Sequence, residues 1–154
     1  MSLEHEFYLV PTSVSYREVM ERSRNELQII DTVDIPDELI RYIIDSLEWI
    51  PSKNPSKSMT KEEKGINYYG VTFFDQASAE IMKGILISWH SLFSNSPDKL
   101  VLTGDYELSF NIKVRGEYER LVFSRDEVLK LLKKLICMVT KLKEGNFYLY
   151  HLGI

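Results

Sequence analysis

The chain has 154 residues, a formal net charge of −4 and a pI near 5.4, with 44% apolar and 27% charged residues. That composition is expected to form one globular domain, 1–154, with enough apolar matter for a core and too little charge bias for wholesale disorder. An acidic chain is a poor nucleic-acid binder, because a basic face is needed to displace counterions from phosphates. The longest mostly apolar stretch, Ile81 to Phe93, is broken by Lys83, Ser88, His90 and Ser91 and is too short for a bilayer, so no membrane association is expected. The lone Cys137, in Lys-Leu-Ile-Cys-Met-Val, allows neither an internal disulfide nor a multi-thiol metal site and reads as a small apolar core residue. The N-terminus lacks a charged segment followed by an apolar run, so no secretory leader is expected and the location reads as cytoplasmic.

In chain order, Glu4 to Val10 reads as a strand ended by Pro11. Ser15 to Ile30 reads as a loose helix with Val19, Met20, Leu27 and Ile30 inward. A clearer helix starts at Pro36, where Asp37 and Glu38 suit the positive helix end. Leu39, Ile40, Ile43, Ile44 and Leu47 then recur at helical spacing up to Trp49-Ile50-Pro51. Residues 51–65 are polar throughout and read as a mobile surface loop. Ile66 to Phe74 is strand-like, and Asp75 or Ser78 caps a helix that runs to about Phe93. Leu100-Val-Leu-Thr103 is an apolar run typical of a central strand. Tyr106 to Val114 alternates strictly, Gly116 marks a turn, and Tyr118 to Ser124 returns as the second arm of a hairpin. The turn is either a two-residue type I′, which Arg115 fits poorly, or a bulged turn with Gly116 at positive φ. Ser124-Arg-Asp-Glu127 is a capping-box sequence. It opens a helix whose inward stripe is Val128, Leu131, Leu132, Leu135, Val139 and Leu142. Gly145 ends that helix, and Phe147 to Ile154 forms a last strand. The order β-α-α-β-α-β-β-β-α-β predicts an α+β fold with a single mixed or mostly antiparallel sheet and helices packed on it.

Chemistry-bearing motifs are sparse. His5, His90 and His151 have no His or Cys at metal-ligand spacing, and the seven glycines form no phosphate loop. No nucleophile elbow occurs, so no catalytic residue, metal or cofactor is expected. His151, flanked by Tyr150 and Leu152 on a strand, is the histidine best placed to work. Glu117 and Glu119 share a strand face and could pair as carboxylates, although solubilising edge charges have the same pattern. Between Glu26 and Ile50, the carboxylates of Glu26, Asp31, Asp34, Asp37, Glu38, Asp45 and Glu48 face a single cation, Arg41. Such a surface attracts a basic partner, whereas a solvated helix face would read the same way.

The second half carries a set of short motifs: Tyr69-Gly-Val-Thr72, a helix with Trp89, Leu100-Val-Leu-Thr-Gly104, Gly116-Glu-Tyr-Glu-Arg120, and Tyr148-Leu-Tyr-His-Leu-Gly-Ile154. Over residues 66–154 this arrangement resembles the immunity protein 70 family of bacterial polymorphic-toxin systems. The resemblance implies a non-enzymatic cytoplasmic protein that binds and neutralises a cognate protein toxin. On that reading Asp37, Glu38, Asp45, Glu48 and Trp49 form the expected interface, with charge steering and aromatic anchoring. The alternative is a small enzyme or small-molecule-binding domain. Its pocket would gather Tyr118, Arg120, Tyr150 and His151, with Tyr68, Tyr106 and Glu119 nearby. A homo-oligomer burying its aromatic surface against itself is the third reading.

Overall fold

The structure is a computed structural model and describes residues 3–108 and 115–154. Strand β1 (Glu4–Pro11) pairs antiparallel with β2 (Asp31–Pro36) on one side. On its other side it pairs with β8 (Phe147–Leu152), which in turn pairs antiparallel with β5 (Val71–Phe74). The resulting four-stranded sheet has the order β2-β1-β8-β5. Among the described residues two further two-stranded sheets are separate from it, one of them joined to β5 by a single bridge between Lys53 and Phe73. One joins β3 (Pro51–Ser52) to β4 (Glu63–Lys64); the other is a hairpin of β6 (Lys99–Glu107) and β7 (Glu117–Ser124).

The single sheet expected from the sequence is therefore corrected to three sheets of four, two and two strands, within an α+β fold. The alternation that marks a strand fixes which residues share a face and says nothing about which strand lies alongside. Leu100 to Thr103 and the stretch from Tyr106 belong to one strand, kinked where the pairing slips between Thr103 and Tyr106 by one extra residue. This hairpin turns Leu100 and Leu121 inward, with Leu102 and Phe123 half-buried, and so contributes a face to the core without joining the main sheet. The strict alternation read for residues 109–114 lies outside the described residues.

Period-2 burial within the main sheet separates two cores. His5, Phe7 and Leu9 of β1, Val33 and Ile35 of β2, Thr72 and Phe74 of β5, and Leu149 and His151 of β8 take one face. Against it lie α2 (Asp37–Leu47), α3 (Ala79–Phe93) and α4 (Arg125–Leu142). Tyr8, Val10, Val71, Phe73 and Tyr150 take the other face, covered by α1 (Tyr16–Glu21) and by Val14 and Leu27 beside it.

Several boundaries differ from the sequence reading. The helix expected over Ser15–Ile30 stops at Glu21, and Met20 and Ile30 are exposed. Its start carries the full capping box: Ser15 Oγ accepts from Glu18 N–H at 3.2 Å, and Ser15 N–H donates to the Glu18 carboxylate at 2.8 Å. Residues 31–35, assigned no element from the sequence, form β2 together with Pro36, because Val33 and Ile35 alternate with Thr32 and Asp34. Residues 51–65 carry both short strands, with Ser52 and Asn54 buried. On α4 the inward stripe includes Met138, whereas Cys137, expected in the core, is exposed on the outer face. Gly145, at φ 80°, turns the chain out of α4 in a conformation that glycine adopts freely.

Leu132 lies at the centre of α4, fully buried against the sheet. Leu132→Ala is expected to cost about 3 kcal/mol of unfolding free energy, through lost burial and the cavity left behind. Val101→Ala, on the exposed side of the hairpin, is expected to cost under about 0.5 kcal/mol. Denaturant midpoints of the two variants check the contrast.

Candidate functional site

Two arrangements of polar and aromatic side chains stand out, one sealed and one open. The sealed one begins on the helix-covered face of the sheet, where His5 and His151 sit fully buried on neighbouring strands. Their rings stack 5.1 Å apart, and His5 Nδ1 lies 2.8 Å from His151 Nε2. His5 Nε2 lies 2.9 Å from Asp37 Oδ1, at the first turn of α2. Tyr68 donates its hydroxyl to the same Asp37 oxygen, and Arg41 Nε donates to Asp37 Oδ2 at 3.0 Å. His151 Nδ1 lies 3.3 Å from Thr72 Oγ1, which also accepts from Asn67 N–H at 2.7 Å.

One set of proton positions satisfies every member when both rings are neutral. The Asp37 carboxylate only accepts, so His5 Nε2–H donates to it and His5 Nδ1 accepts from His151 Nε2–H. His151 Nδ1 then accepts from the Thr72 hydroxyl, whose oxygen takes the Asn67 amide. Burial, together with the neighbouring His5, pushes His151 down to about 3, so this ring stays neutral near pH 7. Burial works to raise the Asp37 carboxyl, but hydrogen bonds from Tyr68 and His5 and the Arg41 charge outweigh it and hold it below its ordinary value. Burial and the bond to Asp37 push Tyr68 up to about 12. With both rings fully buried, the network has no open position at which a substrate could meet a histidine. Its geometry clamps the N-terminus of α2 onto β1 and β8.

The open arrangement lies on the other side of α2. Glu38, Tyr42 and Asp45 follow one another at spacings of four and three residues and so share a face of α2, and Trp49 follows in the turn that leaves the helix. Trp49 is 64% exposed and Tyr42 39%. Towards the N-terminal end of this face, a cleft of about 240 Å³ lies between α2 and the hairpin, lined by Glu38, Arg41, Tyr42, Asp105 and Glu119 among others. Arg41 reaches Asp105 at 3.1 Å and Glu119 at 3.7 Å there. Towards the C-terminal end, an apolar groove of about 460 Å³ runs between α2 and α3. It is lined by Ser46 of α2 and by Trp49 in the turn just after that helix, by Ile81, Gly84, Ile85 and Leu92 from α3, and by Trp89, whose Nε1–H donates to Ser46 Oγ at 2.8 Å.

The residues expected at an interface divide between these two arrangements. Glu38, Asp45, Glu48 and Trp49 lie on the outer side of α2 or at its end, Glu38 half-buried and the others exposed. Asp37 is 7% exposed and faces inward, committed to His5, Tyr68 and Arg41, so it is removed from the expected surface. The expected Tyr/His pocket is not assembled. Tyr150 and His151 are successive residues of β8 and point to opposite faces of the sheet. Tyr118 is 66% exposed on the hairpin, where it meets Tyr106, and Arg120 is exposed on the same strand. Glu119 turns to Arg41, apart from Glu117, which pairs across the hairpin with Glu107.

The groove was legible only indirectly. Helix α3 has apolar residues on two sides: Ala79, Met82, Leu86 and Phe93 are buried, while Ile81, Ile87 and Leu92 are exposed. That is more apolar surface than one buried stripe needs. Among the described residues no group of three or more His, Cys, Asp or Glu side chains is placed to hold a metal ion. Among them, too, no helix is long and apolar enough to cross a membrane. Comparison of the chain with protein-family models, with curated proteins and with solved structures gives no match.

The buried ring of His151 sets a pH dependence of stability. Unfolded, it titrates at its ordinary 6.5; folded, near 3, so the unfolded chain takes up the proton first as pH falls. Stability is thus expected to be level above pH 7 and to drop by about 2 kcal/mol between pH 7 and 5, approaching a slope of about 1.4 kcal/mol per pH unit below the unfolded value. The Asp37 contribution, from a lowered carboxyl, is present above the ordinary carboxylate range and is lost at still lower pH, as pH falls through its folded value. Urea melts at pH 7, 6 and 5 check this, with His151→Asn expected to flatten the slope. An unchanged slope in that variant would remove His151 as its source.

Proposed function

We propose that this chain is a non-enzymatic protein that binds and neutralises a basic protein toxin, using the outer side of α2 as its docking face. The observation that carries the reading is the stripe Glu38, Tyr42, Asp45 and Trp49. It combines two large aromatic side chains, the residue types that anchor interfaces, with carboxylates that steer a cationic partner. An exposed tryptophan on a helix end costs apolar surface in water and gains from being covered. The sealed histidine network supports the same reading from the other side. Its part is to hold α2 in place, and no histidine in it is open to a small-molecule substrate. The resemblance read from the short motifs of residues 66–154, which no family model matches, would imply such a role, and that role requires no catalytic group.

The direct test captures the partner from host lysate with this protein as bait, and then co-expresses this chain with the captured protein, which is expected to be basic and to arrest growth by itself. Growth is expected to be restored by the wild-type protein. The triple variant E38K/D45K/E48K is expected to slow association about tenfold or more and to abolish the salt dependence of the association rate. Asp37 is left unchanged because altering it would unclamp the helix. Growth arrest despite abundant wild-type protein would overturn toxin neutralisation, and an unaltered association rate in the triple variant would take α2 out of the interface.

A further inference from the structure

Resting on that docking face, we infer that the groove between α2 and α3 seats one amphipathic helix of the partner, with apolar residues inward and Lys or Arg at its edges. The α3 wall carries Ile81, Gly84, Ile85, Ser88 and Leu92, a ridge at spacings of three and four residues that extends about 16 Å, or three helical turns. A ridge of that period, facing Trp49 across an open channel, matches the i, i+4, i+7 side chains of a second helix laid along it. Gly84 lies in the middle of this wall, and a Cβ built there meets nothing within 4 Å. The groove is thus open at Gly84, where a guest side chain can approach the α3 backbone. Its polar floor is already satisfied, since Trp89 Nε1–H is bonded to Ser46, whose hydroxyl donates to Ile43 O at 2.6 Å. The guest therefore has no need to supply polar groups there.

Charge selects the occupant. Among the described residues the groove's one charged lining side chain is Glu80, and exposed Asp45 directly precedes Ser46 of its α2 wall. A second copy seated groove to groove would bring two acidic rims together. The chain's own basic helix, α4, is no better as a guest. Its outward positions are Lys133, Lys134, Cys137, Thr140 and Lys141, which offer no aliphatic or aromatic ridge to bury. An apolar helix edged with cations meets both demands: its ridge fills the groove and its edges pair with the acidic rim.

The test uses the full-length protein and a synthetic amphipathic peptide of about five helical turns, with leucines along one face and lysines flanking them. An otherwise identical peptide with glutamates in place of the lysines serves as its partner control. Binding is read by the fluorescence of Trp49 and Trp89, and self-association by sedimentation. The lysine peptide is expected to bind at least about tenfold more tightly than the glutamate peptide. Gly84→Leu fills the groove with a better helix former and is expected to leave the thermal midpoint unchanged or raised while weakening the lysine peptide about tenfold. Trp49→Ala is expected to weaken it as well. Binding of neither peptide, equal binding of both, or binding unchanged by Gly84→Leu would overturn the inference, as would a wild-type dimer that Gly84→Leu dissolves. The same variant separates this inference from the reading beneath it. Toxin neutralised as well by Gly84→Leu as by wild type removes the groove and leaves the α2 face standing. Toxin not neutralised by wild type removes both.

Discussion

The carboxylate of Asp37, held against buried His5, is the contact on which the rest of the arrangement depends. Here α2, which makes one wall of the open groove and one wall of the acidic cleft, is joined to the two inner strands of the main sheet. The joint is short and directional. Asp37 sits at the first turn of α2, where a negative charge is favoured by the helix dipole, and it accepts from a ring, a phenol and a guanidinium at once. A carboxylate so surrounded cannot be exchanged for an apolar residue without leaving His5, Tyr68 and Arg41 donors short of a partner. The apolar contacts of Leu39, Ile40, Ile43 and Leu47 hold α2 down, and the polar joint fixes where it sits. Arg41 extends the joint outward to Asp105 and Glu119, so the hairpin is tied into the same network.

The sheet is buried on both sides, and the two sides differ in kind. Three long helices supply the deeper core, whereas a single six-residue helix and the turns around it cover the other face. Large aromatics make up the difference on the thin side. Tyr8, Phe73, Tyr148 and Tyr150 lie side by side there, with Phe73 and Tyr148 edge to face at 4.5 Å. The nine tyrosines of the chain thus serve in part as packing material for a thinly covered sheet, while others, such as Tyr69 and Tyr118, stay exposed.

Elements with a strong period of their own were legible in the sequence: β1, α2, α3, α4 and β8 lie close to where the residue pattern puts them. Short elements defined by a partner were not. Strand β2 has two inward side chains, Val33 and Ile35, and β3 and β4 have two residues each, too few to register as a pattern. The number of sheets was misread because the hairpin alternates as strictly as a member of the main sheet would. Its separation is set by which face meets which helix, a tertiary fact. For the candidate site, the acidic run and Trp49 were visible as residue types. The inward turn of Asp37 was not, since its partner His5 lies 32 positions away on another element. Likewise, Tyr150 and His151 read as neighbours of one pocket only until the strand's alternation sends them to opposite faces.

The place of β8 in the sheet also governs when the protein can take shape during synthesis. Residues 147–152 lie between β1 and β5 and hydrogen-bond to both, so the strands they join have no edge in common until that segment leaves the ribosome. At roughly 5–20 residues per second, β1 waits on the order of ten seconds or more with one flank unpaired. During that interval β2 alone can cover it, together with whatever chaperone is at hand. His5 waits too, because its partner His151 is made among the last residues of the strand. The clamp on α2 is completed late, and the outer side of that helix acquires its final position only as translation of this segment finishes.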